Sequence, residues 1–297
     1  SLYKCYILAL FLTLSCASFA QNFDNENVND EEAQKLRVEN IITQSEFDLK
    51  RGDFFNSKEN LEKALELAIK IEDKKKQGII LAKIGELEFT INEFDKSLAS
   101  LIKAAEIQRE IEDIENLAIT YSIKGALHAG KEEFNDALEY LNSAKTLFEE
   151  KGLETKIPEV TLNQGQVYLK LEEYKTAKSL FEKTIVLAKK NNQSNILSKA
   201  LIYNGKTSIK LGNNDQGIAY AIEGLNIAKS NNQINSVDEA YLTLSDIYNK
   251  SGDYKQAHNY LAKHTRISDS ILTVVRSNVT PTGQTNFSEA HNASEFQ

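Results

Sequence analysis

The chain has 297 residues, of which 41% are apolar and 26% charged, so it holds material for a large core and for a well-solvated surface. Its formal net charge of −8 has the wrong sign for a surface whose main partner is nucleic acid. Only two prolines and 13 glycines interrupt a background of Leu, Ala, Glu and Lys, which predicts an all-α protein.

In chain order, residues 1–20 come first and read as a secretory signal. Lys4 precedes the apolar run from Cys5 to Leu14, and Ser18-Phe19-Ala20 puts small residues at the −3 and −1 positions before polar Gln21. The run is short of the roughly 20 residues that a permanent span needs. Cleavage after Ala20 is expected, which makes the protein exported and periplasmic. A rival reading makes Cys16 a lipid-anchored acceptor, although Thr13-Leu14-Ser15 matches the usual preceding residues poorly. Both cysteines of the chain, Cys5 and Cys16, lie in this segment, so the mature chain is expected to have no disulfide, thiol chemistry or cysteine metal site. There is no methionine, at position 1 or elsewhere, so the natural start is expected upstream. Residues 21–33, with Asp24, Glu26, Asp30, Glu31 and Glu32, read as an acidic lead-in.

A repeat array is predicted over residues 34–276. Gly85, Gly125, Gly165 and Gly205 recur every 40 residues, and each is followed twelve residues later by Ser97, Ala137, Ala177 or Gly217. The same comb meets Ser45 with Ser57, and Ser245 with Ala257, which makes six units without a slip. Three residues before the second small position stand Phe54, Phe94, Phe134, Tyr174, Asn214 and Tyr254; four after it stand Leu61, Leu101, Leu141, Phe181, Ala221 and Leu261. Further positions seven and ten after it complete one stripe of a 3.6-residue helix. The small columns predict two antiparallel helices per unit at close approach. Gly52, Gly212 and Gly252 mark turns between them, and Pro158 stands where the first helix of the fourth unit should start. The fifth unit, with Asn214, Gly217, Ala221 and Gly224, is expected to be the loosest packed.

These residues resemble the tetratricopeptide repeat. The clearest copies are Gly165-Gln166-Val167-Tyr168 leading to Glu173-Tyr174-Lys175-Thr176-Ala177, and Tyr248 leading to Gly252-Asp253-Tyr254-Lys255-Gln256-Ala257. The resemblance implies a right-handed superhelical solenoid of six helix-turn-helix units, here with a 40-residue period rather than the usual roughly 34. It also implies a concave face, lined by the first helices, that holds a protein or peptide segment. In the fifth unit the ligand-facing positions would be Lys199, Ile202, Lys206, Ile209 and Lys210; in the fourth, Asn163, Gln166, Leu169 and Lys170; in the first two, Glu46 and Glu86. The groove would run from acidic to basic, with Ile42, Leu49, Phe89, Leu162 and Leu169 between, Phe89 reading as a packing residue rather than an anchor. The lysines then either solubilise an exposed face or clamp an anionic group.

No catalytic or cofactor constellation is predicted, and no metal site: His128, His258, His264 and His291 show neither a Cys partner nor His-x-x-x-His spacing. Residues 277–297, polar and interrupted by Pro281 and Gly283, read as a disordered linker. The phrase Tyr260-Leu261-Ala262-Lys263-His264 followed by Ile267-Ser268-Asp269-Ser270-Ile271 is similar to the close of exported repeat arrays in bacterial sensor regulators, where a coiled coil, a membrane span and an output domain follow. That resemblance implies a periplasmic sensing or docking module tethered through a missing C-terminal part. The competing expectation is a free-standing or lipid-anchored assembly scaffold.

Overall fold

The computed structural model describes residues 31–277, which form twelve α-helices and no strand. Residues 1–30, which include the expected signal segment and most of the expected lead-in, and residues 278–297 lie outside the described residues. The helices are α1 (Glu31–Lys50), α2 (Phe54–Lys70), α3 (Lys74–Thr90), α4 (Phe94–Glu110), α5 (Ile114–Gly130), α6 (Phe134–Glu150), α7 (Ile157–Lys170), α8 (Tyr174–Lys190), α9 (Ser194–Lys210), α10 (Asn214–Ser230), α11 (Ile234–Lys250) and α12 (Tyr254–Ser277). Odd and even helices are the first (A) and second (B) members of six repeats. Helix α1 begins at Glu31, three residues before the expected start of the array.

The 40-residue period is two 20-residue halves. From Gly52 to Gly252, every twentieth residue takes a left-handed backbone: Gly at four places, and Glu72, Asn92, Glu112, Glu132, Glu172, Asn192 and Asn232 at the others. At the α2–α3 junction, Glu72 N–H donates to Ile69 O and Asp73 N–H to Ala68 O, both at 3.0 Å, closing α2 as a Schellman motif. Asp73 then caps α3 by accepting from Lys76 N–H at 2.9 Å. One residue therefore ends one helix and begins the next, which leaves room for only three connecting residues. The longer connection 151–156 is the exception, and there Pro158 opens α7 in a position that needs no N–H donor.

The small columns act as the sequence predicts. A Cβ on Gly85, Gly125 or Gly165 would come within 2.6 Å of Leu101, Leu141 or Phe181, the bulky residues of the partner helix. Where serine replaces glycine at the ends, it bonds across the same crossing: Ser45 Oγ lies 3.0 Å from Ser57 Oγ, and Ser245 Oγ donates to Ala257 O at 2.9 Å. The fifth repeat overturns the expectation of loose packing. A Cβ on Gly205 would meet backbone, with Gly217 O at 2.8 Å and Ala221 N at 3.1 Å, while Gly217 and Gly224 receive Ile209 and Ile202. Small residues on α10 bring it closer to α9 instead of leaving a void.

From α3 onward each A helix packs on the next A helix as well as on its own B helix, whereas B helices meet neighbouring repeats chiefly through the A helix between them. The A helices therefore form the inner layer of the curve. Both end faces carry polar residues in columns that are buried elsewhere. Exposed Asn40 stands where later repeats bury Ile80, Thr120, Val160, Ala200 and Ala240, and His264, bonded to Asp238 at 2.7 Å, stands where earlier ones bury Ala64, Ala104, Ala144, Thr184 and Gly224.

Candidate functional site: the inner face of the A helices

Residues six before, two before, one after and five after the glycine column share one helix face. Their side chains link successive A helices. Lys83 donates to Glu46 at 2.6 Å and Lys206 to Glu239 at 3.1 Å, and Tyr203 on α9 lies near Gln166 on α7. Enclosure raises the Tyr203 phenol above its ordinary range, and nearby Glu239 adds to the effect. The curve is tight enough for Glu86 on α3 to feel Glu159 on α7, two repeats away. Glu86 stays open to water but lies deep in the hollow, and this desolvation pushes its carboxyl upward. Lys83 pulls it down, and Glu159 and Glu46 raise it further.

The expected groove residues divide into three groups. Glu46, Glu86, Lys170, Lys199 and Lys210 are exposed, and Asn163, Gln166 and Lys206 are half-buried, all along the A helices. The three lysines of α9 share a face without forming one clamp. Lys199 is open, Lys206 is neutralised by Glu239, and Lys210 reaches over the Tyr174 ring at 5.9 Å at the rim. Ile202 and Ile209 do not face a ligand; they fill the spaces over Gly224 and Gly217. Ile42 and Leu162 are likewise buried in the core, and Phe89 packs beside Phe94 at 6.0 Å and over Gly130.

The apolar middle of the inner face belongs to other residues. Ile79 on α3 and Ile119, Ile123 and Ala126 on α5 occupy the face positions of the second and third repeats and remain half-buried. Sequence reading missed them because apolar residues on a helix read as core, yet their columns hold Glu159, Lys199, Tyr203 and Lys206 in later repeats. That alternation between apolar and charged residues in one column was the available signal.

Away from this face, the ligand atoms of His128, Glu133 and Asp136 lie within 4.8 Å of one another at the α5–α6 turn. His128 Nδ1 is 2.6 Å from Glu133, Lys131 is 3.1 Å from the other Glu133 oxygen, and the His128 hydrogen bond holds that carboxyl below its ordinary range. This arrangement, unforeseen from histidine spacing, pins the turn. A shallow depression of about 510 Å³ is lined by Tyr121 of α5 and by Glu139, Asn142, Ser143, Thr146 and Leu147 of α6. Among the described residues no helix is long and apolar enough to cross a membrane.

A tetratricopeptide repeat family model matches residues 238–270, covering most of α11 and α12. The other five repeats share that unit's columns and geometry. The fold is a tetratricopeptide-type solenoid. Solved structures agree on the fold. RapI in its apo form is 17% identical, with 92% of this chain and 96% of that one covered and a TM-score of 0.68. A Rap protein complexed with competence and sporulation factor is 16% identical, with 80% and 65% covered and a TM-score of 0.67. A signal-transduction ATPase with a tetratricopeptide repeat sensor, from Pyrococcus horikoshii, is 19% identical, with 77% and 35% covered and a TM-score of 0.61. At such identities the likeness is one of fold. No curated protein sequence matches the chain. A fold of this type ordinarily serves as a protein-interaction scaffold without catalysis.

Proposed function

We propose that the tetratricopeptide array docks an extended protein or peptide segment on its inner face, and that it is the sensing or docking region of an exported bacterial signalling protein. The observation that carries the docking role is the strip Ile79, Ile119, Ile123 and Ala126, apolar side chains that stay partly open to water along the A helices. Flanked by polar side chains on rigid helices, such a strip suits an extended segment, with pockets for alternate side chains and polar partners along its edges. The signalling role rests on the signal-like residues 1–20, on the resemblance of the last repeat to exported sensor arrays, and on the sensor named in the Pyrococcus protein. A membrane tether would lie outside the described residues. The module acts by binding rather than by catalysis.

Selection from a library of displayed random twelve-residue peptides tests the docking role. Wild-type array is expected to enrich a sequence family, and Ile123→Glu, with its melting temperature checked, is expected to lose it. Enrichment that is equal for both proteins, or absent with wild type, contradicts the reading. Export has its own test. With a start codon supplied, the periplasmic protein should begin at Gln21 on amino-terminal sequencing, and a lipid-modified Cys16 or an uncleaved chain would oppose it.

A further inference from the structure

Three positions recur at the turn from each A helix to its B helix, lying three, eight and eleven residues after the glycine column. The second repeat fills them with Glu88, Glu93 and Lys96, and a cation bridges its two carboxylates. Lys58 reaches across from the B helix of the first repeat, its Nζ 3.0 Å from Glu88 and 3.3 Å from Glu93, and Lys96 donates to Glu93 at 2.8 Å. The third repeat keeps the middle carboxylate as Glu133 but replaces Glu88 by His128 and Lys96 by Asp136. It alone of the six has an imidazole or carboxylate at all three positions. The bridging lysine is gone as well, because Leu98 stands 40 residues after Lys58.

We propose that the α5–α6 turn binds a divalent transition-metal ion of the zinc class through His128 Nδ1, Glu133 Oε2 and an Asp136 oxygen, with water completing the shell. The His128 and Glu133 atoms lie 2.6 Å apart, and one ligand atom from each of the three residues lies within 4.8 Å of the others. The imidazole is held in place: its side chain is 12% exposed and stacks on the Tyr140 ring at 5.2 Å. Two ammonium groups stand nearby. Lys131 takes Glu133 Oε1 at 3.1 Å and leaves Oε2 to the histidine, and Lys124 donates to the Tyr140 hydroxyl at 2.9 Å. Asp136, exposed in the first turn of α6, has no hydrogen bond or ion pair among the described residues. Ligand atoms around tetrahedral zinc stand roughly 3.4 Å apart, and the exposed Asp136 side chain has the freedom to close to that spacing. The ion takes the place of the proton between His128 and Glu133, which is released. One imidazole with two carboxylates suits zinc and its neighbours, whereas calcium and magnesium take oxygen ligands. The ion does for the third repeat what the Lys58 ammonium does for the second: it neutralises carboxylate charge where the A helix turns into its B helix.

Equilibrium dialysis of the untagged full chain against Zn²⁺ tests the site, with three proteins compared: wild type, Asp136→Asn and His128→Gln. Wild type should take up Zn²⁺ and gain melting temperature from it, since an ion that binds only the folded chain stabilises it. Each variant should bind at least about tenfold more weakly, the loss that follows even when only the hydrogen-bond partner of a metal ligand is removed. Asp136→Asn is the safer of the two, because its exposed side chain supports no other contact, and its metal-free melting temperature should match that of wild type. Wild type that takes up no Zn²⁺, or that binds it no more tightly than either variant, would overturn the proposal and leave these residues an ordinary hydrogen-bonded turn.

Discussion

Glu86 shows how a single side chain reports the shape of the whole. It is open to water, yet the surrounding superhelix and the carboxylates of Glu159 and Glu46 raise its protonation range above that of a free glutamate. The folded state therefore holds a proton at pH values where the unfolded chain has released it, so the ionised group opposes folding above its folded-state range. That opposition fades as the pH falls through the raised range and is gone below the ordinary carboxyl range. Glu86→Gln should accordingly raise the thermal midpoint at pH 7, with the gain shrinking toward zero near pH 4; a variant less stable than wild type at pH 7 would contradict the placement. The candidate glutamates and lysines were legible from the sequence because a fixed offset from the small columns locates one helix face. Their pairing was not, since Lys206 with Glu239 and Lys83 with Glu46 depend on the rotation between successive repeats. Burial of Ile202 and Ile209 was hidden for a related reason: it depends on how far α10 advances over Gly217 and Gly224.

At the scale of the element, the repeat is a 20-residue half-unit used twice. Its turns were visible only where glycine takes the left-handed position, at Gly52, Gly212 and Gly252. At Glu72, Asn92 and their equivalents, Schellman hydrogen bonds offset a backbone strain of about 1 kcal/mol that glycine would avoid. The fifth repeat carries the main correction, because small residues there mark the closest helix approach. Gly205→Ala is the discriminating change. Alanine favours a helix by about 1 kcal/mol, yet here its methyl group would press on the Gly217 carbonyl and the Ala221 amide, which cannot turn aside. A net loss of about 1–3 kcal/mol is expected in urea unfolding, similar to that expected for Ala137→Leu at the fully buried crossing of α5 and α6. A Gly205→Ala protein with a raised urea midpoint would show that the two helices stand apart.

For the whole molecule, six registered copies made the solenoid plain from sequence, while the curvature that brings Glu86 toward Glu159 has no local signal. A repeat array meets its surroundings through extended faces rather than one cavity, and here the inner face carries a half-buried apolar strip, Ile79, Ile119, Ile123 and Ala126. The outer face offers isolated apolar residues such as Val186, which is 67% exposed. The most direct measurement is site-specific photo-crosslinking with a selected twelve-residue peptide, placing p-benzoylphenylalanine at position 123 on the inner face or at position 186 on the outer face. Docking on the A helices predicts a crosslinked adduct from position 123 that unlabelled peptide competes away, and none from position 186. A competed adduct from position 186 with none from position 123 would place the binding surface on the outside of the array and contradict the account.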